Sequence, residues 1–248
     1  MIRKGFSFLL LMLSAPLAFA SVGEIHLDKA NIDPNDKASI ARGADNFVNH
    51  CFGCHSLSFM RYNRLAKDLG ISEKEAAERF VFTGAKVGDL MKNAMRKEDG
   101  KRWFGNAPPD LSVEVRARSV DWIYTYLRSF YADPSRPWGV NNAVFDKVAM
   151  PHVLWDLQGL QQLNKPEKEN EAGHAAPSFT LIQPGKLSPQ EFDNWVRDTV
   201  NFLNYVSEPS KSQRLALGKW VIAFILVFWV VMILLKKEFW KDVKRKPE

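Results

Sequence analysis

Cysteine is nearly absent: the 248 residues contain two, Cys51 and Cys54. A framework of several structural disulfides is therefore excluded, and whatever these thiols do, they do as one close pair. A surplus of charge is also missing from the body of the chain. The formal net charge of +6 resides at the ends, where residues 1–20 carry Arg3 and Lys4 with no acid and residues 215–248 carry seven basic and three acidic side chains. Between them, acidic and basic side chains are equal in number. No global basic surface survives, which argues against a nucleic-acid partner. There is no internal repeat, and no alternation of strands with helices that would build a parallel sheet.

Long apolar runs are scarce, and the two present read differently. Phe6 to Leu13 follows Arg3 and Lys4 and leads to Ala18-Phe19-Ala20, the pattern of a secretory signal cleaved after Ala20. Trp220 to Leu235 is apolar without a break, long enough with its flanks to span a bilayer, and Lys219 is placed to snorkel. The basic tail beyond it, "KKEFWKDVKRKPE", belongs on the cytoplasmic side. The chain thus divides into a signal peptide (1–20), an exported domain (21–209), a linker (210–214), a transmembrane helix (215–235) and a cytoplasmic tail (236–248). The expected location is a bacterial inner membrane, crossed once, with the domain in the periplasm.

The exported domain reads mainly helical. Ile40, Ala41, Ala44, Phe47, Val48 and Cys51 recur at helical spacing after a capping Asp36, so a helix delivers the chain to Cys51. Ser72 and Glu75 form a capping-box pattern opening a short helix toward Phe80. A third helix is expected from Asp121 to about Tyr131, with Trp122, Ile123, Tyr126, Leu127 and Phe130 on its buried side, ended by "ADPSRPWG". The fourth has Ser188 as cap, Pro189 at its first position, Glu191 as reciprocal partner, and a stripe from Phe192 to Val206. Pro209 stops it. "SFTLIQ" is a candidate strand, and the polar stretch from Gln158 to Pro177 reads as a surface loop or small insertion.

Cys51, Cys54 and His55 form a C-x-x-C-H motif. Two thiols on one turn can add to the two vinyl groups of a haem, and the adjacent histidine then lies beneath the iron. Three other readings compete. Zinc needs four ligands, and only scattered histidines remain to complete the set. A thiol-disulfide centre usually sits between a strand and a helix, a context absent here. A simple disulfide between such close cysteines would be strained and leaves His55 unexplained.

A second axial ligand must come from far along the chain. Met60 lies too close to His55 to reach the opposite face of the ring, and Met91 and Met95 read as core packing. Met150 stands before Pro151 on a stiff, extended segment suited to presenting a thioether, with His152 as rival two residues on. Iron with both faces occupied has no open position for substrate, so either choice gives a carrier of single electrons.

The stretches "CFGCHSLSFMRYNRLA", "NAPPDLSVEVRARS" and "AMPHVL", with one C-terminal span and a basic tail, resemble cytochrome c1, the haem subunit of the ubiquinol:cytochrome c reductase (bc1) complex, of bacterial type. The resemblance covers essentially the whole chain. It implies a mainly α, cytochrome c-like haem domain with inserted loops, carrying one covalently bound haem c. It further implies thioether links from Cys51 and Cys54, and His55 and Met150 as iron ligands. Pro109, in the loop Pro108–Ser112, would lie along the haem edge, Arg118 would pair with a propionate, and Trp122 and Tyr126 would line the pocket. The partners implied are cytochrome b, a Rieske iron-sulfur protein that donates the electron, and a soluble or tethered c-type cytochrome that accepts it. The chain would be part of an enzyme without being one by itself. It lacks a long acidic run, so strong charge steering of the acceptor is not expected. Competing assignments are a tethered cytochrome of a terminal oxidase or periplasmic dehydrogenase, and a membrane-anchored thiol-disulfide oxidoreductase.

Overall fold

The computed structural model describes residues 26–164 and 177–243. The expected signal peptide, most of the polar stretch before Pro177 and the last residues of the tail lie outside them. The described chain is mainly helical with three small two-stranded antiparallel sheets and one long C-terminal helix.

The core is built on two helices far apart in sequence, α1 (Lys37–His50) and the later Pro189–Ser207 helix. Asp36 caps α1 by accepting the Ser39 N–H. Ser188 and Glu191 close the reciprocal capping box of the second helix, with Pro189 at its first position. The two cross where α1 has no side chain: a Cβ on Gly43 would sit 2.1 Å from the Asp198 carbonyl oxygen. Phe47 and Phe202 meet beside the crossing with ring centroids 5.7 Å apart. Asn46 donates to Trp195 O and Thr199 Oγ1, both at 3.1 Å, and Arg42 and Ser39 donate to the Asp198 carboxylate.

After the Cys51–His55 turn, β1 (Leu57–Arg61) leads into α2 (Tyr62–Leu69) and α3 (Glu73–Phe80), whose cap is Ser72 as the pattern predicts. β1 pairs with β2 (Leu90–Met91), and Met60 and Met91 are both fully buried there. Both are thus core residues, from extended backbone. Then come α4 (Lys97–Phe104), α5 (Glu114–Arg118) and α6 (Val120–Arg128). Between α5 and α6 stands Ser119 at φ 93°, a left-handed conformation that a non-glycine residue adopts only under constraint; its hydroxyl caps α6 at Trp122 N.

Two expectations need correction. The third predicted helix ends at Arg128 and does not reach Tyr131. Phe130–Ala132 is instead β3, paired with β4 (Val140–Asn142). The terminal carbonyls of α6 are taken by side chains: Asn142 Nδ2 donates to Tyr126 O, and Gln158 and Gln161 both donate to Arg128 O at 2.8 Å. Those bonds replace the next helical turn. Secondly, the polar stretch after Gln158 begins with a strand. Following α7 (Trp155–Gln158), β5 (Gly159–Leu163) pairs with β6 (Phe179–Pro184), the latter as expected. β5 was hidden because its buried position is polar: Gln161 is 9% exposed and donates to both Arg128 O and Phe130 O.

The Pro189–Ser207 helix is α8. Beyond Pro209, α9 (Lys211–Val243) begins four residues before the expected span, so the connection between domain and anchor is shorter than the predicted linker. Lys211–Lys241 is long and apolar enough to cross a membrane, and none of it is buried against the domain. At about 1.5 Å per residue α9 exceeds the ~30 Å apolar thickness of a bilayer. Glu208 ties it to the domain, accepting from Arg214 in its first turn and from Arg116 on α5 at 3.3 Å.

Candidate functional site

The end of α1 fixes the first wall of a cavity. Cys51 N bonds to Phe47 O, and Cys54 N and His55 N both bond back to Cys51 O, at 3.0 and 2.9 Å. This winds the C-x-x-C-H stretch into one turn with both thiols free. Burial, and then the neighbouring Cys54 thiol, pushes the Cys51 thiol up to about 12; burial raises Cys54 as well. Redox-active thiols ordinarily show the opposite shift, which counts against the oxidoreductase reading. The described residues contain no cluster of three or more His, Cys, Asp or Glu side chains that could hold a metal.

His55 is oriented by the loop that follows α4. Its Nδ1 donates to Pro109 O at 2.7 Å, which leaves Nε2 as the lone-pair nitrogen. Burial lowers its pKa against the pull of that bond, favouring the neutral ring a metal ligand requires. The Pro109 carbonyl is itself held. Leu111 N bonds to Ser56 O at 3.0 Å, Asp110 accepts from Ser58 N and Ser112 N at 2.8 and 2.9 Å, and Phe59 N donates to Ser112 Oγ. Burial would raise the Asp110 pKa, but these donors outweigh it and keep the carboxylate below its ordinary value.

The other walls come from α6 and the loop after β4. Trp122 and Tyr126 stack at 5.0 Å with their planes 10° apart, and the Tyr126 hydroxyl donates to Met150 Sδ at 3.4 Å. The Arg118 guanidinium lies 4.9 Å over Trp122 and 5.8 Å over Phe145, with its Nε 3.4 Å from Glu114. Together these parts enclose a cavity of about 290 Å³. Cys51, Cys54, His55, Pro109, Arg118, Trp122, Tyr126 and Met150, all nominated from sequence, line it. His152 does not. It is 5% exposed, its ring stacked 4.9 Å from Phe130, and burial takes its pKa down to about 4. Sequence reasoning missed Phe104, Phe145 and Leu203 on the walls. The first two belong to no periodic stripe, and Leu203 was read as ordinary core.

The donor set is specific: two thiols on one turn, an oriented imidazole, a thioether from a distant loop, and apolar walls with one guanidinium. The model of the Cytochrome C1 family matches residues 28–166 and 185–243. The chain belongs to the cytochrome c1 family. Cytochrome c1 of Allochromatium vinosum is 51% identical over 234 residues, covering 94% of this chain and 96% of that one. The ammonia monooxygenase gamma subunit of Nitrosomonas europaea is 46% identical, over 96% of this chain and 97% of its own. The mitochondrial cytochrome c1 haem protein of Saccharomyces cerevisiae is 26% identical, covering 85% and 69%. The chain is therefore a c-type cytochrome, an electron-transfer subunit of the cytochrome c1 kind with one covalent haem c, and the one helix among the described residues that is long and apolar enough to cross a membrane fits a single-pass anchor. The cavity's residues fit that cofactor: the lone pair of His55 Nε2 and the sulfur of Met150 are donors of the kind haem iron takes.

Proposed function

We propose that Cys51 and Cys54 would hold the haem by thioether links, that His55 Nε2 and Met150 Sδ would ligate its iron, and that the chain relays electrons from a Rieske iron-sulfur protein to a c-type cytochrome. The observation that carries this reading is the convergence of His55 and Met150, far apart in sequence, on one apolar cavity beside both thiols. Bound haem supplies a one-electron ferric/ferrous couple. The protein's residues tune and protect it. The Pro109 carbonyl keeps the His55 proton on Nδ1, and the Tyr126 hydroxyl holds the Met150 thioether. Methionine ligation favours the ferrous state and raises the potential, which suits an acceptor placed after a high-potential Rieske centre. Arg118, at the cavity beside Trp122 and Phe145, has the fork to pair with a propionate. α9 packs beside cytochrome b, with the haem domain in the periplasm and the basic tail in the cytoplasm.

Purification from membranes tests this. The chain should keep a haem stain through denaturing electrophoresis and copurify with cytochrome b and a Rieske protein. Colourless material with titratable thiols at positions 51 and 54 would sink it. A second reading keeps the haem and changes the assembly, favoured by the near full-length likeness to a chain named as an ammonia monooxygenase subunit. Copurification with a different membrane oxidoreductase would decide for it.

A further inference from the structure

Of the eight residues of α4 only Gly100 is buried. Glycine inside a helix is disfavoured, because it loses the most backbone freedom on ordering and brings no side-chain contact in return. A glycine at the one buried position therefore calls for a steric reason. The structure supplies it. A Cβ on Gly100 would stand 2.8 Å from Pro108 Cδ, 3.2 Å from the Met95 sulfur and 3.6 Å from Ala107 Cα. The α4 backbone thus rests directly on the Pro108 ring, with the Met95 sulfur beside the contact.

That ring belongs to the wall of the cavity. Pro108 and Pro109 both line it, and Pro109 O accepts the His55 Nδ1 proton at 2.7 Å. Neither proline has an N–H, so this stretch has no backbone donors with which to fix itself. On its C-terminal side the chain is held by bonds that begin at Asp110 and Leu111 and reach Ser56, Ser58 and Ser112. On its N-terminal side no hydrogen bond among the described residues fixes the backbone of Asn106 or Ala107, and the contact with Gly100 takes that place. α4 is a firm seat for it. Asp99 accepts from Arg96 and Arg102 at 2.7 and 3.0 Å, and the Phe104 ring at the end of the helix lines the cavity, 5.7 Å from Trp138.

Resting on the haem reading above, we propose that Gly100 is a positioning residue of that site: its bare backbone sets the height of the Pro108–Pro109 stretch and, through the Pro109 carbonyl, the hydrogen bond that orients His55. Gly100 is not among the residues lining the cavity and acts only through Pro108. A carbonyl held at 2.7 Å draws on the Nδ1 proton and makes Nε2 the stronger donor, which favours ferric iron. A side chain at position 100 displaces Pro108 and lengthens or bends that bond, so the reduced state gains.

The test uses the intact membrane complex with its haem. In Gly100→Ala the ratio of reduced to oxidised cofactor at a fixed applied potential should rise about threefold, roughly 30 mV at 59 mV per decade for one electron. The largest g-value of the ferric electron paramagnetic resonance spectrum should move with it. Pro108→Ala removes the ring atom that a Cβ at position 100 would strike, so adding Gly100→Ala to that background should change neither readout further. If Gly100→Ala alone loses haem, the double variant should retain it. An unchanged or lowered potential in Gly100→Ala, equal shifts in the two backgrounds, or loss of haem from the single and double variants alike would each overturn the proposal and leave Gly100 as ordinary packing. Absence of haem from the unsubstituted chain would instead refute the site reading beneath it.

Discussion

The two sides of the cavity are built by different means. The side bearing Cys51, Cys54 and His55 grows from the end of α1 and is laced by backbone hydrogen bonds and by Asp110 and Ser112, all within a few residues of the ligand or its carbonyl partner. The side bearing Met150 relies far more on side chains: a stack of Arg118, Trp122 and Tyr126, one hydroxyl-to-sulfur bond, and the Asn141 and Asn142 amide oxygens that accept from Lys147 N and Val144 N. On the proposed reading the first construction would secure attachment and the second would set electronics. A backbone-laced wall has little freedom to vary, whereas a side-chain wall can be retuned by single substitutions without disturbing the fold.

The sharpest way to break that comparison is Met150→Leu. Haem should remain attached through the cysteines while the midpoint potential in a spectroelectrochemical titration falls by a few hundred millivolts, within the ~0.8 V range that axial ligands span. An unchanged potential would move the ligand assignment to His152.

On the other side, Gly43→Ala attacks the crossing that supports the Cys51 turn. A Cβ there meets the backbone of Asp198, which cannot yield as a side-chain end would. Urea denaturation should show a loss of about 2–3 kcal/mol or more. A loss below about 0.5 kcal/mol would mean that the crossing relaxes freely and the first side is less rigid than described.

A smaller effect is expected at Asp121, which anchors α6 by accepting from Lys29 Nζ and Ala30 N at 2.7 and 3.0 Å. Burial raises its pKa, but these donors outweigh burial and leave it below 3.8 in the folded protein. Its stabilisation is therefore complete above the ordinary carboxylate value and is lost as pH falls through the lower folded value. Asp121→Asn should cost about 1 kcal/mol at neutral pH, with the exposed Lys29 arm discounted for solvent, and should flatten the acid limb of the stability curve below pH 3.8. A limb of unchanged slope would exclude this carboxylate as its source.

The smallest change is Tyr126→Phe. Its hydroxyl donates to the Met150 sulfur, and with Met150 on the iron, as proposed, that bond would favour the reduced state. Removing one such bond should lower the potential by roughly 20–60 mV, the equivalent of about 0.5–1.5 kcal/mol for one electron, with the methionine-ligated spectrum retained. No shift would show that the side-chain wall positions the sulfur without tuning it.

Legibility in the sequence followed the range of the interactions. Asp36, Ser72 and Ser188 act within three residues, so their helices were readable together with the C-x-x-C-H turn and the apolar span. The early end of α6 was not readable, because the groups that capture its last carbonyls, Asn142, Gln158 and Gln161, come from later in the chain. β5 escaped for a related reason, since the alternation that marks a strand was masked by a glutamine buried for its hydrogen bonds.

The pairing of two thiols with a histidine on one turn, the caps that start the helices and the anchoring span were settled by sequence, because each depends on neighbours along the chain. Tertiary structure alone put Met150 rather than His152 on the cavity. Residue chemistry permits both, and the choice came from a tyrosine hydroxyl that reaches the sulfur and a phenylalanine ring that covers the imidazole.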